Sequence, residues 1–236
     1  MDQYRSPYTP SQLGVRPSVA LSTAFLSQAF LWMFAGLLVT TGIGWYISSL
    51  STTSLERLSG LLFPILIGQL ILALAFGFAL RSIPATLGLG LFFLYAAATG
   101  VTVGFVITFY PVTSVLGAGA GAAAVFGGAA LYGVTTKRDL TSIGAYLFMA
   151  LIGIIVASFV NLLLVHSDTL GLLVSWIVVV VFTGFTAYHV QRIRNGDIAA
   201  WAGTAEKGAV MAAFLLYLDF INLFFALLRI MGGSRR

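Results

Sequence analysis

The chain has no cysteine, which excludes disulfides and thiolate metal sites and leaves no clue to a redox compartment. Charge is equally scarce: 8% of the 236 residues are charged, against about 25% in an ordinary soluble domain. Between Arg57 and Lys137 the sole charged side chain is Arg81, so that interval holds membrane spans and has no room for a soluble domain. Two histidines in separate segments argue against a zinc site. No phosphate loop appears, and no GxSx or HExxH motif lies inside a span, so the chain does not read as an enzyme and no cofactor is implied. The net charge of +5 is spread over loops and ends without aromatic interleaving, which argues against nucleic acid and for the positive-inside rule.

What the chain does have is apolar length: 59% of it is hydrophobic, and 26 glycines against 6 prolines suit closely packed membrane helices. Seven apolar segments can be delimited, at about residues 24–50, 59–80, 84–109, 112–134, 142–165, 169–190 and 208–230. A spanning segment must satisfy its own backbone hydrogen bonds, and none shows the strict alternation of a barrel strand, so all seven read as helices of an all-α integral membrane protein. Residues 1–20 read as a cytoplasmic tail without a signal core, and residues 21–236 as a single membrane domain. Most connections are tight turns between antiparallel neighbours; the exception is the linker Gln191 to Lys207.

Lys and Arg give the orientation. Arg5, Arg16, Arg81, Lys137, Arg138, Arg192, Arg194 and Lys207 fall on one set of loops and only Arg57 on the other, which puts the N-terminus in the cytoplasm. A full seventh span then carries Arg235 and Arg236 to the outside, against the rule but outvoted by the other loops.

The last segment places Asp219 in the middle of a membrane-length apolar run. An Asp at a helix centre costs roughly 2.5 to 3.5 kcal/mol on insertion scales, so such a residue faces a bundle interior or an aqueous path. Asn222 and Arg229 share its face, at i+3 and i+10. Elsewhere the plainer readings lead. Gly117 with Gly121, and Gly100 with Gly104, are GxxxG spacings that read as close helix packing before they read as hinges. In TTKRDLTSIG, Lys137 and Arg138 serve topology, and Asp139, Thr141 or Ser142 can cap the fifth helix. His166 and Asp168 read as solvated in a short exterior turn, and Asn161 as interhelical glue.

Three stretches, LYGVTTKRDLTSIGAYLFMALIGIIVA, FTAYHVQRIR and LDFINLFFALLRI, resemble signature stretches of the bacterial branch of the Bax inhibitor family of membrane proteins. The resemblance implies six helices around a central seventh, a monomer in a bacterial inner membrane, and a pH-sensitive calcium leak. It implies a gate made by two carboxylates that share a proton. One of them matches Asp219, which would also be a transient calcium ligand; the place of the other holds His189. A Glu that the family carries in its second helix, paired with an Arg of the seventh, matches Gln69 here, with Arg229 as the Arg. Gln69, Asn222 and Arg229 are thus expected to support the pore or gate, though Gln69 also reads as an interhelical hydrogen-bond partner and Arg229 as an interface side chain.

The His for Asp exchange changes the chemistry. Two carboxylates repel when both are ionised, whereas a protonated His189 beside Asp219 would tighten the contact, so pH sensitivity is expected to centre on His189 with an altered midpoint. The plainer reading of His189 is an interfacial imidazole at a helix C-terminus, favoured by the dipole. Apolar edges put the two residues at depths differing on the order of 10 Å, so contact is expected to require a shifted or broken seventh span. A second functional reading, also resting on the resemblance, is a regulator that binds and restrains a membrane-anchored ATP-dependent protease.

Overall fold

The computed structural model describes residues 19–233, and within them the chain is helical without a strand. The tail residues Arg5 and Arg16, and the terminal Arg235 and Arg236, lie outside the described residues. The helices are α1 Val19–Ser48, α2 Thr52–Ser59, α3 Leu62–Ser82, α4 Ala85–Ile107, α5 Val112–Thr135, α6 Thr141–Val160 with a closing π-turn Asn161–Val165, α7 Asp168–Arg194, α8 Asp197–Ala202 and α9 Ala205–Gly233. Seven of these are long and apolar enough to cross a membrane: α1, α3, α4, α5, α6 with its π-turn, α7 and α9. The two short helices occupy stretches that the apolar pattern leaves as connections. α2 has a Ser51 cap whose hydroxyl accepts from the Ser54 N–H. α8 fits between Gly196 and Gly203, both in the left-handed region at φ 80° and 86°, where glycine carries no Cβ penalty.

The chain divides into two compact units. Among the described residues, one holds the chain from Val19 to Thr108 together with Arg192–Leu215, and the other holds Phe109–Gln191 together with the chain from Leu216 to Gly233. In the first, α1 and α4 pack so closely that a methyl on Gly100 would lie 2.8 Å from Ile43 Cβ and one on Gly104 2.5 Å from Ile47 Cβ, the packing role expected of that GxxxG pair. The Thr40 hydroxyl donates across the same contact to the Ala96 carbonyl at 2.9 Å. Phe214 of α9 stacks on Phe76 at 4.0 Å and meets Phe92 and Tyr95 edge-on. α8 is tied down where the Arg81 guanidinium lies 4.2 Å over the Trp201 ring, and Lys207 Nζ donates to the Arg81 carbonyl at 2.9 Å.

In the second unit α5, the small-residue helix, packs through its glycines. Methyls on Gly117 and Gly121 would meet Met231 and Leu227 of α9, and one on Gly133 would sit 2.5 Å from the Ala187 carbonyl of α7. α6 is the opposite case, burying only Gly144 against the Tyr188 ring and leaving Tyr146, Phe148 and Phe159 exposed, as a lipid-facing helix would. α9 is the most buried of the seven, with 61% of its most apolar stretch covered against 39% or less elsewhere.

Candidate functional site

His189 and Asp219 meet inside the second unit. His189 Nδ1 lies 2.7 Å from Asp219 Oδ2, with Asp219 1% and His189 8% exposed. With the carboxylate ionised, Nδ1 carries the proton and donates. The imidazole is held flat by its own helix: the Phe185 ring one turn earlier stacks on it at 5.3 Å and 14°, and Tyr188 lies beside it.

The contact forms without the broken seventh span that the apolar edges predict as one route to it. α9 is continuous through Asp219, from Ala205 to Gly233, so nothing in that span is broken. The apolar run of α7 stops near Val190, but the helix continues to Arg194, and Val190, Gln191 and Ile193 are all buried. His189 is therefore buried by protein, with five further helical residues before α7 ends. The end of an apolar run marks where polar side chains begin, and here those side chains turn into protein.

Gln191 is the residue the sequence reading passed over as linker. Its buried amide clamps the loop before α6: Oε1 accepts from the Leu140 N–H at 2.8 Å, and Nε2 donates to the Arg138 carbonyl at 2.7 Å. The signal was present in AYHVQRIR, since two uncharged positions follow His189 before the first Arg. Next to the clamp, Asp139 Oδ1 accepts from the Thr141 N–H at 2.9 Å and from its hydroxyl at 2.6 Å. Those two bonds hold the exposed Asp139 carboxyl below its ordinary value.

The supporting residues take separate places. Gln69, in the first unit, donates to the Thr99 hydroxyl at 3.0 Å and accepts from Thr102 at 3.1 Å, the interhelical role that its plainer reading gives it. Thr99 and Thr102, three apart in an apolar segment, were the signal for that partner. Asn222 bonds back to the Leu218 carbonyl of its own helix at 2.8 Å. Arg229 is exposed and lines a cavity with Asp168, Ser158 and Asn161. Asn161 is a turn clamp within the α6–α7 connection, donating to the Ser167 carbonyl and accepting from its N–H. Among the described residues no three of His, Asp and Glu come together as a metal site.

Seven long apolar helices and a buried imidazole–carboxylate pair define a polytopic helical membrane protein with an ionisable centre. The profile described as Inhibitor of apoptosis-promoting Bax1 matches residues 22–236, and the chain belongs to this Bax inhibitor family. It is 40% identical over 227 residues to the inner membrane protein YbhL of Escherichia coli K12, covering 94% of this chain and 96% of that one. It is 38% identical over 229 residues to a Borreliella burgdorferi protein, covering 93% and 96%, and 35% identical over 212 residues to one of Deinococcus radiodurans, covering 89% and 90%.

Proposed function

We propose that the chain is a passive cation leak, for calcium, whose closed state is held by the His189–Asp219 contact and regulated by protonation of His189. The observation that carries this reading is the 2.7 Å pair itself, an ionisable contact buried between two spans. With Asp219 ionised the bond is already charge-assisted, and a proton on the second ring nitrogen adds the attraction of an ion pair. A difference of about 1.4 kcal/mol moves an open–closed equilibrium tenfold. Proton uptake by His189 therefore strengthens the contact, and the leak falls on acidification.

No covalent chemistry and no cofactor enter this reading. Calcium is cargo, ligated in passing by Asp219. One carboxylate in place of two gives weaker attraction for a divalent cation, which prefers several oxygen ligands. The high burial of α9 supports a central last helix, and the distribution of Lys and Arg supports a cytoplasmic N-terminus. The likeness to YbhL, an inner membrane protein, supports the bacterial inner membrane as the site of action. Calcium flux into proteoliposomes tests the proposal: Asp219→Asn should alter flux and abolish its pH dependence, and unchanged flux and pH response would refute it.

A further inference from the structure

Away from the His189–Asp219 pair, two cavities of about 420 and 470 Å³ share Asp168 and Arg229 in their walls. Neither residue has an ion-pair or hydrogen-bond partner among the described residues. Unlike charges that share a wall without meeting leave a gap that a ligand carrying both signs would fill, its anion on the guanidinium and its cation on the carboxylate.

The frame around the gap is rigid. His166 takes the left-handed conformation at φ 52°, the one non-glycine residue to do so among those described, and its N–H bonds the Asn161 carbonyl at 2.7 Å. Asn161 grips Ser167 at both backbone atoms, and the Ser167 hydroxyl accepts from the Leu170 N–H. The bare Cα of Gly171 makes room for the guanidinium, which a methyl there would strike. His166 and Tyr110 are the other titratable groups in the walls.

The remaining walls are apolar and open. Phe109 is 83% and Leu162 65% exposed, with Leu172 beside the charged pair. Such side chains, next to a charged cleft at the end of membrane helices, suit acyl chains. We propose that this cleft binds a zwitterionic phospholipid through a phosphate on Arg229 and a primary ammonium on Asp168, a phosphoethanolamine headgroup. The site stands independently of the gate.

Native mass spectrometry of the whole protein, delipidated and then offered phosphatidylethanolamine, phosphatidylcholine and phosphatidylglycerol at equal concentration, tests it. The native chain should retain phosphatidylethanolamine about tenfold over the other two, the discrimination expected of one charge-assisted contact. Arg229→Gln should lose that retention, and Asp168→Asn should bring phosphatidylethanolamine down to the level of phosphatidylglycerol. Asp168→Asn changes an exposed first-turn residue, so the proposal stays testable if Arg229→Gln fails to fold. Equal retention of the three lipids by the native chain, or an unchanged preference in Asp168→Asn, would overturn the proposal. Soluble phosphorylethanolamine at the lipid's concentration should leave the adduct in place, and displacement by it would overturn the assignment to a lipid.

Discussion

The Gln191 side chain, two residues beyond His189 on α7, holds Leu140 and Arg138 at both ends of its amide. Helix α7 thus carries His189, one member of the ionisable pair, and the clamp on the α5–α6 loop within one turn, so a displacement of α7 that parts His189 from Asp219 strains the loop as well.

Gln191→Ala leaves the Leu140 N–H and Arg138 carbonyl without their partner, an expected loss of about 1 to 3 kcal/mol. Hydrogen exchange across residues 136–144 should quicken in the variant while α4 is unaffected. Gln191→Glu keeps the acceptor for Leu140 and should recover part of the protection.

The His189–Asp219 contact is measurable as a coupling. In a double-mutant cycle of His189→Ala and Asp219→Ala, read by unfolding in detergent, the two effects should fail to add by about 0.5 to 3 kcal/mol. Additive effects would mean that the two side chains do not interact.

Glycines in α5 predict opposite outcomes on one helix. Gly133→Ala forces a methyl against the Ala187 carbonyl, a backbone atom that cannot turn aside, and should cost about 1 to 3 kcal/mol. Gly127→Ala and Gly128→Ala meet nothing within 4 Å and should be neutral or stabilising by up to about 1 kcal/mol. Melting temperatures of the three variants check this.

Asp139 gives a pH dependence with a definite sign. Its carboxyl is held below the ordinary value by the two bonds from Thr141, so those bonds are intact above the ordinary carboxylate range and are lost as pH falls through the lowered value. Exchange of the Thr141 amide, normalised for the intrinsic rate, should rise on acidification through that range, and Asp139→Asn should shift that dependence away.

The spans were legible because lipid demands them: an apolar run near 20 residues long in a chain this poor in charge has few other folds available. The pair was legible only through the resemblance, since nothing in the spacing of His189 and Asp219 sets them side by side. Apolar edges misled at α7, where Gln191 and Ile193 continue the helix into protein and the linker folds into α8. Gln69, which the resemblance singles out, donates to Thr99 and accepts from Thr102, hydroxyls that an apolar count does not register.

The central claim is tested most directly by calcium flux into proteoliposomes across pH, comparing the native chain with His189→Asp. The account predicts that the native leak falls on acidification as the imidazolium tightens on Asp219. It predicts that His189→Asp, with two carboxylates sharing a proton, carries more calcium and has a different pH midpoint. Superimposable pH profiles for the two proteins would contradict it.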